Sequence, residues 1–189
     1  MERMCDRMHV LLGVTGSIAA YKAAELVRRF QRREWDVRVV MTTGATRFVT
    51  ELTFRSLSRN PVAVEMFALS DAWRPDHIAL PEWADVFVIA PCTANVMAKL
   101  AHGLADDLLT CTALACTAPL VVAPAMNDRM WAHAATQANV AVLKRRGVAV
   151  VDVGSGDLAC GYRAPGRLAD LDTIEAAVAD CGGQGGVRA

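Results

Sequence analysis

The chain has 189 residues, and its 20 basic residues balance 20 acidic ones, so no global charge draws it toward nucleic acid or an anionic membrane. The length fits one domain with a substantial core and is short for two. A hydrophobic content of 53% is high for a small domain, and burial between subunits would use it, so a homo-oligomer is expected.

The first strand, His9–Val14, runs straight into Thr15, Gly16, Ser17 and Ile18. Residues 19–33 follow with Ala20, Ala23, Ala24, Val27 and Phe30 at helical spacing, so the unit reads strand, tight turn, helix. Gly13 and Gly16 permit close backbone approach, while the hydroxyls of Thr15 and Ser17 lie where a helix N-terminus favours an anion. The turn suits either a phosphate cradle or a plain helix start capped by Ser17. It is not a dinucleotide fingerprint, because residues 18–22 lack the further glycine, and a Walker-type loop is missing too.

A second strand, Asp36–Met41, leads into Thr42, Thr43 and Gly44, then into a helix through Phe48 and Leu52 to about residue 57. Asn60 and Pro61 end that unit, and residues 62–75, including Trp73, are expected to be irregular. Residues 76–80 have no assigned structure. Their His77 suits a hydrogen-bonded structural role or that of a base.

The third strand, residues 86–90, is followed by Pro91, Cys92, Thr93, Ala94 and Asn95, which begin a helix to about residue 101. Asp106 and Asp107 open another helix, where acidic groups favour the positive end of the dipole. Cys111 and Cys116 fall on its small-residue surface as packing residues. After a fourth strand, residues 120–123, comes the corner Pro124-Ala125-Met126-Asn127-Asp128-Arg129-Met130-Trp131, then a helix over 132–146 and a fifth strand over 147–151. Asn127 suits two roles there: an N-cap, or a neutral amide that holds a carboxylate without competing for its proton.

Residues 153–170, rich in glycine and containing Cys160 and Pro165, read as a functional flap, residues 171–179 as a last helix, and residues 181–189 as a flexible tail behind a single domain over 1–180. The alternation of strands and helices predicts an α/β fold with a doubly wound parallel sheet. Polar corners after four successive strands predict one shared ligand site at the carboxyl edge. The six cysteines form no CxxC pair and the four histidines are scattered, so reduced thiols and no metal are expected. Without a membrane-length apolar run or a signal-peptide core in residues 1–8, a cytoplasmic location and no membrane partner are expected.

Four segments together resemble a known family: residues 13–22, from Gly13 through Gly16 and Ser17 to Lys22; Asp76-His77-Ile78; residues 90–95 with 103–109; and the corner at residues 124–131. They are similar, in one consistent order, to the flavin-containing cysteine decarboxylases, which include phosphopantothenoylcysteine decarboxylase and the epidermin-type peptidyl-cysteine decarboxylases. The resemblance implies a Rossmann-like, flavodoxin-like three-layer sandwich that binds FMN at a subunit interface in trimers or dodecamers. It implies FMN contacts at Gly16, Ser17, Thr42, Thr93 and Asn95, with Phe48 reaching the flavin of a neighbour. His77 becomes the expected base and Asn127 the expected anchor of the substrate carboxylate, with Met130, Tyr162 and Arg163 beside the substrate and Cys160 as a further catalytic group.

The implied chemistry is coherent. A cysteine carboxylate leaves poorly because the resulting carbanion has nowhere to delocalise. Loss of the thiol proton to His77 and of a hydride from the β-carbon to oxidised flavin gives a thioaldehyde, and departing carbon dioxide then pushes electrons toward sulfur. In the coenzyme A branch the ene-thiolate is reduced back, with help from a cysteine in an Ala-Cys-Gly-acidic motif; in the peptide branch it is released. Here Ala159, Cys160 and Gly161 are followed by Tyr162 and Arg163 in place of the acid. That departure points to the C-terminal cysteine of a peptide as substrate, with phosphopantothenoylcysteine as the alternative and a non-catalytic flavin-binding regulator as the alternative of another class.

Overall fold

The computed structural model describes residues 7–68, 73–157 and 161–183. Its centre is a six-stranded, all-parallel sheet built from β1 (His9–Val14), β2 (Asp36–Met41), β3 (Val62–Ala63), β4 (Val86–Cys92), β5 (Leu120–Pro124) and β6 (Ala149–Val150), in the order β3-β2-β1-β4-β5-β6. Without the two-residue edge strand β3 the order is that of a flavodoxin-like sheet, as expected. β3 falls in the segment read as irregular. It pairs Val62 with Val39 and Ala63 with Val40, a ladder too short to leave an alternating pattern in the sequence.

Alternation along the strands sends side chains into two cores. Val10, Leu12, Val14, Val39 and Val88 face one layer, made by α1 (Ala20–Arg32), α2 (Glu51–Ser58) and α8 (Leu171–Gly182), whose Phe30, Phe54 and Ile174 are fully buried there. Leu11, Val40, Phe87, Ile89 and Val122 face the other, covered by α3 (Asp76–Trp83), α4 (Ala94–His102), α5 (Leu108–Ala115) and α7 (Ala134–Arg145). Each fully buried Phe contributes about 1.5–3 kcal/mol relative to exposure. Gly13 belongs to this second packing: a Cβ there would stand 3.1 Å from side-chain atoms of Phe87, Ile89 and Leu109.

Three differences from the sequence expectation have physical causes. Residues 76–83 form α3 although Pro81 lies inside it; the proline removes one backbone donor, and with Leu80 and Pro81 both buried no amphipathic stripe marks the helix. The segment 153–170 contains an antiparallel hairpin of β7 (Gly154–Asp157) and β8 (Arg163–Arg167), hidden by its glycine-rich composition. α8 runs on to Gly182, so Cys181 and Gly182 belong to a helix and not to a tail: Ile174, Val178 and Cys181 continue one apolar stripe onto the core, and Gly182 lies against Met8. Asp107 is the N-cap of α5 in a reciprocal capping box with Thr110, and Lys99 pairs with both Asp106 and Asp107, in line with their structural reading. No helix among the described residues is long and apolar enough to cross a membrane.

Candidate active site

The chain leaves β1 toward one edge of the sheet and β4 toward the other, and a cleft of about 710 Å³ opens where the loops part. Its wall is predominantly apolar and joins the turn at Gly16, Ser17 and Ile18 to the start of α4 at Thr93 and Ala94 and to the corner at Ala125, Met126 and Asn127. Met130 and the end of the hairpin, Gly166 to Leu168, close another side. The sequence-predicted residues Gly16, Ser17, Thr93, Asn127 and Met130 therefore line one site.

Hydrogen bonds fix the first two corners. The buried Thr15 hydroxyl donates to the Pro91 carbonyl at 2.8 Å and accepts the Thr93 backbone N–H at 3.0 Å, stapling the end of β1 to the end of β4. Thr15 is thus no phosphate ligand; its hydroxyl is consumed inside the protein. Thr93 in turn caps α4 through Oγ1, which accepts from the Val96 N–H at 3.3 Å. The Ser17 hydroxyl accepts from the Ala19 N–H at 3.3 Å. A Cβ on Gly16 would stand 3.0 Å from the Gly44 carbonyl carbon, so the turns after β1 and β2 touch backbone to backbone and bring Thr42 beside the cleft without lining it.

The third corner combines both roles expected of Asn127. It is the N-cap of the short helix α6 (Asp128–Ala132), with Oδ1 accepting from the Arg129 N–H at 2.9 Å. That bond fixes which end of the amide is presented: Nδ2 donates to the Tyr162 hydroxyl at 3.3 Å. Tyr162 Oη donates in turn to Asp128 Oδ1 at 2.5 Å, and this bond holds the Asp128 carboxyl below the usual carboxylate range. The hairpin is also docked by backbone, with the Met126 N–H donating to the Gly166 carbonyl at 2.9 Å. Gly166 has φ of 125°, and a Cβ on it would overlap the Met126 carbonyl oxygen, so this approach requires glycine. α6 and α7 are separate helices because His133 between them is extended and caps α7 through Nδ1.

Other predicted residues lie outside the cleft lining. Asn95 is exposed, one residue beyond Ala94 on α4. Phe48 is half exposed, just after the 3-10 turn Ala45–Arg47. Arg163 is exposed on β8, opposite Asp157. His77 is the second residue of α3, and its Nδ1 is buried without a hydrogen-bond partner among the described residues. Cys160 lies outside the described residues. The cleft also has two cations that sequence reading did not single out, Lys22 and Arg167. Burial and the nearby Arg167 charge lower the Lys22 pKa, while Asp170 and Glu25 act more weakly in the other direction. Cys92 is fully buried and its thiol is pushed far up by desolvation, which suits packing rather than reaction.

Residues 1–181 match the family described as Flavoprotein. Among curated proteins, the chain is 44% identical over 171 residues to the coenzyme A biosynthesis bifunctional protein CoaBC of Bacillus subtilis, a match covering 90% of this chain and 42% of that protein. The chain therefore spans about two-fifths of the length of this relative. Among solved structures, a PPC decarboxylase mutant complexed with pantothenoylaminoethenethiol is 34% identical, with a TM-score of 0.81 over 92% of this chain and 97% of that one. The FMN-dependent cysteine decarboxylase SpaF is 32% identical, with a TM-score of 0.82 over 95% of this chain and 98% of that one. With its parallel sheet, its carboxyl-edge cleft and these matches along nearly its whole length, the chain belongs to the flavoprotein family, among the flavin-containing cysteine decarboxylases.

Proposed function

We propose that this chain is an FMN-dependent decarboxylase of phosphopantothenoylcysteine, the second of the two substrates that the sequence resemblance allows. One observation carries the reaction: a neutral amide, oriented by its own capping bond, faces a flavin-type cleft at the carboxyl edge of the sheet. The 44% identity to CoaBC favours the acyl-cysteine over the peptide, against the inference drawn from Tyr162 and Arg163.

FMN fits the construction of the site. The contact between Gly16 and Gly44 leaves no room for a Cβ, so backbone and short hydroxyl side chains form the surface on which a phosphate and a ribityl chain would lie. Gly16, Ser17 and Thr93 would hold it, with Thr42 and Asn95 at its margins and Phe48 reaching over from a neighbouring copy. When bound, FMN supplies a two-electron acceptor for the substrate β-carbon.

The remaining roles fall to this chain's side chains. Asn127 Nδ2 donates to the substrate carboxylate; because the amide is neutral, it orients that group without strengthening its hold on the negative charge that must leave. His77, outside its own chain's cleft, takes the thiol proton in the cleft of a second copy, through Nε2 since Nδ1 is buried. Exposed Ile18, Tyr21, Phe48 and Leu52 supply apolar surface for that association, as a trimer or a larger assembly. Tyr162 and Arg163, on the hairpin segment, would stand beside the substrate, and Cys160, which lies outside the described residues, would assist the return of the ene-thiolate to a saturated product with the two electrons that the flavin had accepted.

Incubation of the yellow holoprotein with phosphopantothenoylcysteine and, separately, with a cysteine-terminated peptide, followed by mass spectrometry, tests this reading. Loss of carbon dioxide alone from the acyl-cysteine is expected. Loss of carbon dioxide with two further hydrogens, confined to the peptide, would replace it with the peptide reading, and a flavoprotein inert toward both would point to the regulatory one.

A further inference from the structure

Three polar groups in series join the corner at Asn127 to the hairpin. Tyr162 Oη lies 2.5 Å from Asp128 Oδ1 and 3.3 Å from Asn127 Nδ2. A phenol has one proton, and the shorter bond takes it: the Asp128 carboxylate accepts, so the hydroxyl turns its lone pairs toward the amide. The two bonds are unequal. The charge-assisted one is short and fixes the phenol, while the amide contact is at the long end of the range and guides Nδ2 without consuming it. At its other end the same amide accepts the Arg129 N–H through Oδ1 at 2.9 Å. An amide held at both ends keeps its plane, and its second Nδ2 proton keeps one direction.

This series gives the departure from the Ala-Cys-Gly-acidic motif a counterpart in space. Tyr162 stands where the motif has its acid, and Asp128, 34 positions away, supplies a carboxylate to the same phenol. A carboxylate placed directly against Nδ2 would compete there with the carboxylate of the substrate and repel it, whereas a phenol between the two keeps them apart. The hairpin is docked on the corner through the Met126 N–H and the Gly166 carbonyl, which sets the phenol within reach. Neither Asp128 nor Tyr162 lines the cleft, so both act on the amide and not on the reacting atoms. Resting on the reading of Asn127 as the carboxylate anchor, we infer that Asp128 and Tyr162 are positioning residues. Together they aim the Asn127 amide, and so hold the bond between Cα and the carboxylate of the substrate in the orientation from which carbon dioxide leaves.

The test takes the FMN-loaded wild type, Tyr162→Phe, Asp128→Ala and the double variant. It measures kcat and KM for phosphopantothenoylcysteine and the Kd of phosphopantetheine, the same molecule without the carboxylate. Each single variant is expected to lower kcat by about three- to tenfold, the loss of one ordinary hydrogen bond, because a carboxylate held at the wrong angle still binds. The double variant should fall no further than the lower of the two, since the groups act in series. The Kd of phosphopantetheine should be the same in all four proteins. An equal weakening of phosphopantetheine would make the hairpin a mere cover of the cleft and overturn the inference. So would single losses that multiply in the double variant, a loss confined to KM, or an unchanged kcat in Tyr162→Phe. A wild type that releases no carbon dioxide from phosphopantothenoylcysteine sinks the proposed function and this inference together, and is recognised without any variant.

Discussion

The two edges of the sheet treat polar groups in opposite ways. At the amino edge, Asp85 accepts the His9 backbone N–H at 2.8 Å, the His9 ring stacks on Trp83 at 4.7 Å, and the Arg38 guanidinium lies over the Trp83 ring at 4.3 Å from its centroid. These contacts secure the starts of β1 and β4, with His9 Nδ1 buried 3.5 Å from Asp85 Oδ2 and without a hydrogen bond among the described residues. At the carboxyl edge, Lys22 and Arg167 make no ion pair among the described residues, the Asn127 amide is oriented by its own cap and donates to the Tyr162 hydroxyl, and the cleft wall is mostly apolar. Polar groups that complete one another hold a fold; groups positioned by the fold but left for a ligand do its chemistry.

Variants can break this contrast, starting with the largest effect. His77→Asn should lower kcat by on the order of 10³-fold, as expected for loss of a base, while the flavin spectrum stays intact. A variant that retains full carbon dioxide release would remove His77 from the reaction. Gly16→Ala should cost about 1–3 kcal/mol by forcing the turns after β1 and β2 apart, and should also release FMN. Flavin content after gel filtration, beside the thermal midpoint, separates the two consequences, and a variant with full flavin and an unchanged midpoint would contradict the close contact.

Asp85→Ala probes the other edge: leaving the His9 N–H without its acceptor should cost about 1–2 kcal/mol in a denaturant titration, with kcat/KM unchanged. A selective loss of activity there would erase the distinction between the edges. Tyr162→Phe should have the smallest effect. The Tyr162 hydroxyl lowers the Asp128 pKa, so its stabilising contribution is complete above the ordinary carboxylate pKa and is lost as pH falls through the lowered value in the folded protein. Removing the hydroxyl should move the Asp128 titration, followed by carboxyl NMR, upward toward the ordinary range, and limited proteolysis of the hairpin should be faster at neutral pH than in the wild type. An unmoved titration would mean that this bond does not hold the flap.

Much of the scaffold was legible because strands buried on both faces leave continuous apolar runs. β1 and β2 coincide with the runs read from the sequence, and β4 and β5 extend them by one or two residues. α3, β3 and the hairpin were not legible: one contains a proline and no stripe, one has two residues, and one is composed largely of residues that disfavour strands. In the site, the corner residues Gly16, Ser17, Thr93 and Asn127 could be singled out because short polar groups after apolar strands stand out locally. Lys22 and Arg167 could not, since 145 positions separate them in the chain and a charged residue on a helix or a glycine-rich segment looks like any solvated one.

The sequence by itself determined the layered sheet, the edge at which ligands bind and the family, because hydrophobic period and short motifs are local properties of the chain. Only the tertiary structure decided that Thr15 is a staple and not a ligand, that the Asn127 cap orients its amide, that His77 stands outside its own chain's cleft, and that two distant cations share it. Each of these depends on which groups meet after folding, and hydrogen bonds and charges act over a few ångströms of space whatever the distance along the chain.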